Sequence, residues 1–155
     1  MDDALPGATG FAMPDVPFVD AGTAGAAAIF DAAPDRALRL LEWGERKYGA
    51  AAMRMADKRS RGWLIRAGNP YVAEIDAIAA RIGRPGAFML NLSFEWNCTA
   101  AVGPDPERGG ARLLRTLDWP LPGLGENLVV VRHEGPHGSW LSATWPGFVG
   151  SLTIM

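Results

Sequence analysis

The sequence predicts an α+β fold in which helices come first and an antiparallel sheet follows. An apolar stripe at helical spacing runs from Val72 to Ile82, and a series of short strand-like segments, separated by Gly- and Pro-rich turns, fills the C-terminal part. The length of 155 residues, 48% of them hydrophobic, suits one globular unit with one core.

The first helices follow from local signals. Residues 1–31 are rich in Gly, Ala and Pro without a sustained period, and read as an extended N-terminal arm with room for one short helix. Pro34 suits the first position of a helix, and Asp35 suits its first turn, where the helix dipole favours an anion. Leu38, Leu41 and Glu45 continue at helical spacing. A second helical stretch, Ala50 to about Arg61, carries Arg54, Lys58 and Arg61 on a basic face, read as solvated surface ahead of a substrate-attracting patch. Asn69-Pro70 then supplies an N-cap and a first helical residue. Val72, Ile75, Ile78, Ala79 and Ile82 form one face, Gly83 ends the helix and Pro85 prevents its return.

Beyond Pro85 the period changes. Phe88 to Trp96, Cys98 to Val102, Ala111 to Asp118, Leu128 to Arg132, Ser139 to Thr144 and Phe148 to Ile154 read as strands. Between them lie residues 103–106 (Gly-Pro-Asp-Pro), Gly109-Gly110, residues 120–125 and Gly135-Pro136, all turn chemistry. Of the tryptophans, Trp43 and Trp63 are expected in the core or between helices, and Trp140 and Trp145 on sheet faces. Gly147 and Gly150 mark close backbone approach rather than a phosphate loop, since no Lys-Ser/Thr follows them.

Charge and cysteine content narrow the function. A net charge of −2 with 21% charged residues argues against nucleic-acid or membrane-surface binding through bulk electrostatics. No apolar run reaches the roughly 18–20 residues of a membrane span. The first 17 residues hold Asp2, Asp3 and Asp15 but no basic residue, so no secretory leader is expected and the cytoplasm is the expected location. The single cysteine forms no internal disulfide. With His133 and His137, read as solvent-facing turn residues, it matches no zinc-ligand spacing, and no metal is expected.

That cysteine is nevertheless the residue to follow. Cys98 opens a strand directly after Asn97, and Arg115 and Asp118 lie on the next one. A hairpin through Gly103 to Gly110 returns that next strand beside Cys98, so a thiol, a guanidinium and a carboxylate can meet at one strand mouth. An arginine beside a cysteine favours the nucleophilic thiolate. The plainer alternative is a surface ion pair between Arg115 and Asp118, with Cys98 as a small hydrophobe.

The stretch resembles the junction of cysteine N-terminal-nucleophile hydrolases, the family of acid ceramidase, N-acylethanolamine amidase and choloylglycine hydrolase. Asn91-Leu92-Ser93-Phe94-Glu95 is similar to the family's Asn-Leu-x-Tyr-Glu strand, Cys98-Thr99-Ala100 to its Cys-Thr-Ser, and Arg115-Thr116-Leu117-Asp118 to its Arg-Asn-Leu/Met-Asp. The Tyr71 to Pro85 helix resembles the segment ahead of the junction. Gly147-Phe148-Val149-Gly150-Ser151-Leu152-Thr153 resembles the later Gly-Tyr-Val-Gly-x-Leu-Thr-Gly stretch. Ala100 stands where the family has Ser, Thr116 where it has Asn, and the Cys-to-Arg spacing is one residue longer.

The resemblance implies a partial αββα sandwich of the N-terminal-nucleophile hydrolase type. Residues 1–31 would form an arm, 32–97 the helical segment and strand preceding the cleavage site, and 98–155 the start of the nucleophile-bearing β domain. The implied activity is self-processing between Asn97 and Cys98, followed by hydrolysis of a linear N-acyl amide, a small-molecule substrate, through an S-acyl intermediate on Cys98. Arg115 would support the nucleophile and orient the substrate. Asp118 would hold the freed α-ammonium, and Trp119 and Thr116 are the candidate substrate contacts. Glu95 is read as surface-facing rather than as an aid to cleavage. No metal or organic cofactor is implied. The family's oxyanion-hole Asn follows the Phe148–Thr153 stretch, so the chain is expected to be C-terminally truncated, an incomplete or unprocessed form that the rest of the fold or a homo-oligomer would complete. The alternatives are an acyltransferase of the same fold and a catalytically silent structural fragment.

Overall fold

Glycines and one proline divide the helical half much as the sequence predicts. A computed structural model describes residues 15–91, 97–118 and 123–154, apart from the side chains of Asn97, Leu117 and Asp118. Pro34 opens helix α2 (Pro34–Tyr48) after a short α1 (Ala26–Ala32). Gly49, at φ +84°, separates α2 from α3 (Ala50–Arg66) in a conformation that a side chain would strain. Helix α4 (Val72–Ile82) buries Ile75, Ile78 and Ile82 and ends at Gly83, whose left-handed φ of +67° lets its N–H reach the Ala79 carbonyl at 3.0 Å. Its start falls two residues later than predicted. Asn69 Oδ1 accepts from the Tyr71 N–H at 2.9 Å, and this local turn holds Pro70 and Tyr71 outside the helix.

The described residues are mixed α+β, with five helices and two sheets. The larger sheet has the order β1-β4-β5-β6, built from β1 (Phe18–Gly22), β4 (Val129–Gly135), β5 (Gly138–Thr144) and β6 (Thr153–Ile154). The smaller is an antiparallel hairpin of β2 (Asn97–Pro104) and β3 (Ala111–Asp118). One feature of the larger sheet departs from the expected antiparallel arrangement: β1 pairs parallel to β4, with Val19 opposite Val131. The predicted arm therefore contains a sheet strand.

Three further expectations are corrected. Phe88 to Leu90 is helical, in α5 (Ala87–Leu90), and not the start of a strand. Asp57 of α3 accepts from the Phe88 and Met89 N–H groups at 2.8 and 3.1 Å, and this distant carboxylate holds the turn. Residues 92–96, the rest of that predicted strand and the site of Glu95, lie outside the described residues. From Phe148 onward only Thr153–Ile154 forms a ladder. Gly147 and Gly150 have φ of +88° and +151° and shape a turn there instead of a strand. Trp63 is 49% exposed and not in the core.

The main core gathers around Trp145, which is fully buried. Ala37, Leu40 and Leu41 of α2 and Ile78 and Ile82 of α4 belong to the same cluster, and the indole N–H donates to the Leu124 carbonyl at 3.0 Å. Trp43 packs against its edge. A smaller cluster places Ile29 of α1 on Val129 and Val131 of β4. Among the described residues no helix is long and apolar enough to cross a membrane.

His133 also departs from its expected place. It lies in β4, not in the turn; its Nε2 is 2.8 Å from Ser142 Oγ, and its ring stacks on Trp140. Burial pushes its pKa below the ordinary histidine value. The unfolded chain therefore takes up a proton below about pH 6.5 that the folded chain resists, so this contribution is full above that pH and is lost as pH falls. The melting temperature should drop by a few degrees between neutral pH and about pH 5, and His133→Gln should flatten that part of a calorimetric pH series.

Candidate active site

The hairpin register decides which side chains share a face. Ala100 pairs with Arg115 and Cys98 with Leu117, and the pleat puts positions 98, 100, 113 and 115 on one side. Cys98 and Arg115 are thus diagonal neighbours, a separation that a long side chain can bridge. Arg115 bridges it, with its Nη2 3.0 Å from Cys98 Sγ. The hairpin returns through Asp105–Gly110, where the Asp105 N–H donates to the Gly110 carbonyl at 3.0 Å and Gly109 and Gly110 take φ of +69° and +85°.

The same guanidinium reaches toward the second sheet, where Nη1 is 3.4 Å from Thr153 Oγ1. Thr153 is held opposite Ala143 of β5, and Leu152 donates its N–H to the Ala143 carbonyl at 2.9 Å. An open depression of about 550 Å³ results, with Cys98, Ala100, Leu113 and Arg115 on one wall and residues 151–154 on the other. Cys98 is exposed to it. The walls offer a soft nucleophile, a fixed cation and the hydroxyls of Ser151 and Thr153, a set that can hold a carbonyl group beside a sulfur.

The predicted residues are thus partly assembled. Cys98 and Arg115 meet. Thr116 pairs with Thr99, and the alternation of the pleat puts it on the opposite face of the hairpin from Cys98. Asp118 occupies the register position opposite Asn97, one pair from Cys98, at the open end of the hairpin. Its carboxylate lies outside the described side chains, and Trp119 outside the described residues.

Sequence reading missed the wall from Ser151 to Ile154, because its place depends on pairing with β5 and not on a local motif. It also missed what Asn91 does. The Asn91 Nδ2 donates to the Ala87 and Gly147 carbonyls at 2.8 and 2.9 Å, and Oδ1 accepts from the Val149 N–H at 2.6 Å. The carboxamide so joins the end of α5 to the turn that leads into the wall. None of the protein-family models, curated proteins or solved structures compared with the chain matches it.

Proposed function

We infer that the protein is a self-processing cysteine amidohydrolase of the N-terminal-nucleophile type, with Cys98 as the nucleophile and a linear N-acyl amide as the substrate. The observation that carries this reading is the 3.0 Å contact between Arg115 Nη2 and Cys98 Sγ at the mouth of an open depression. A cationic donor on an exposed sulfur stabilises the negative charge of the attacking form. The place of Cys98 one residue into β2 also supports it, since a chain cut before this residue would carry its new amine beside its own thiol. In this reading the described elements form part of an αββα sandwich, with residues 32–97 ahead of the cut and 98–155 opening the nucleophile-bearing domain.

In the processing step Cys98 Sγ attacks the Asn97 carbonyl carbon. The peptide C–N bond breaks, the Asn97 acyl group passes to sulfur, and the proton lost by the thiol ends on the freed α-amine. Water then releases the thioester. In turnover that amine, with an ordinary pKa of about 7.7–8.0, takes the thiol proton and later returns it to the leaving amine. Arg115 aligns the substrate carbonyl, and Asp118 is assigned to the α-ammonium. Acyl transfer to an amine instead of water would use the same intermediate.

Intact-mass measurement tests the reading. Incubation near neutral pH with hydroxylamine, which cleaves thioesters, should convert the 155-residue chain into pieces of 97 and 58 residues. A chain that stays whole and yields no Cys98-terminated piece overturns the proposal in favour of a silent domain with a structural cysteine.

A further inference from the structure

The outer face of α3 is used neither by the core nor by the site at Cys98. Residues 54–66 carry five cations, Arg54, Lys58, Arg59, Arg61 and Arg66, against one carboxylate, in a chain of net charge −2. That carboxylate, Asp57, turns inward to the start of α5. Arg61 is held by Asp76 through two contacts of 2.8 Å. Arg54, Lys58, Arg59 and Arg66 are exposed and form no ion pair with a described residue.

Large apolar side chains stand among these cations. Met55, Trp63 and Ile65 are 53%, 49% and 49% exposed, and Tyr71, just beyond the helix end, is 55% exposed. Met55, Arg59, Gly62 and Arg66 fall at i, i+4, i+7 and i+11, a single stripe on the helix, with Lys58 and Ile65 on one flank and Trp63 on the other. A shallow depression of about 800 Å³ opens along it. Gly62 lies at its middle, and a Cβ there would stand 3.3 Å from Arg66 Nη1, so the glycine leaves room for that guanidinium over the helix backbone.

We propose that this face docks the protein onto a bilayer surface containing anionic phospholipid. The free cations meet headgroup phosphates, their aliphatic stems lie along the apolar boundary, and Met55, Trp63, Ile65 and Tyr71 enter the interfacial zone where aromatic and thioether side chains are favoured. Charge and apolar exposure together select this occupant. A purely ionic polyanion would leave Met55 and Ile65 in water, and a second copy on the same face would set cation against cation. The inference is independent of the amidase reading.

Vesicle co-sedimentation of the whole chain tests it. The protein should pellet with phosphatidylcholine vesicles containing about 30 mol% phosphatidylserine, and bind pure phosphatidylcholine at least about tenfold more weakly. Lys58→Gln/Arg59→Gln/Arg66→Gln should weaken the anionic binding by about a hundredfold, since each cation near the surface contributes about fivefold. Met55→Ser/Ile65→Ser should weaken it by about fivefold at unchanged salt dependence. All five positions are exposed, and thermal melts should show each variant as folded as the parent. No binding to anionic vesicles, binding that ignores the Met55 and Ile65 changes, tighter binding to heparin or RNA than to vesicles, or self-association abolished by the triple variant would each overturn the proposal.

Discussion

Replacing Arg115 with methionine should slow alkylation of Cys98 by iodoacetamide by about twofold to fivefold near neutral pH, and leave folding stability within about 0.5 kcal/mol. The reasoning starts from geometry. Arg115 is the described side chain that bonds the sulfur, at 3.0 Å, and methionine keeps its length and apolar stem while removing the charged fork. A charged contact between exposed side chains contributes about 0.2–1 kcal/mol, a factor of about 1.5 to 5 in rate. Arg115→Lys keeps a cation without the fork that spans Cys98 and Thr153, so its rate should fall between the two. An alkylation rate unchanged in Arg115→Met would show that the contact does nothing for the sulfur, and would leave the amidase reading without its main support.

Trp145→Ala should destabilise the fold by about 3–5 kcal/mol in urea titrations. Trp145 is fully buried at the meeting point of α2, α4 and the end of β5, and alanine would leave a large cavity among Ala37, Leu40, Ile78 and Leu90. It would also strip the Leu124 carbonyl of its indole donor. Trp145→Phe separates the two effects: it refills most of the space but not the hydrogen bond, and a loss of about 1–3 kcal/mol is expected. A loss below about 1 kcal/mol for Trp145→Ala would mean that the core is organised elsewhere.

Elements with local causes were legible in the sequence. Pro34 at the start of α2, the Ile75-Ile78-Ile82 stripe, Gly83 as its terminator and the Gly109-Gly110 return of the hairpin all depend on residues within a turn of one another. The hairpin reading also placed Cys98 and Arg115 together, because register follows from a short turn. What failed depends on distant partners. Phe88 and Met89 look like strand residues until Asp57, some thirty positions earlier, caps them into a helical turn. The β1 strand is five residues whose partner, β4, lies over a hundred positions away, so nothing local announces it.

If the Asn97–Cys98 bond is cut as proposed, the Asn91 carboxamide ties the two pieces together. It belongs to the stretch ahead of the Asn97–Cys98 bond, and two of its three partners among the described residues, Gly147 and Val149, belong to the stretch behind it. The β1–β4 pairing and the packing of α2 and α4 on Trp145 cross the same divide. Severing that peptide link would therefore yield a bolted heterodimer rather than two drifting halves, with the nicked protein keeping its shape through contacts already in place before the backbone opened.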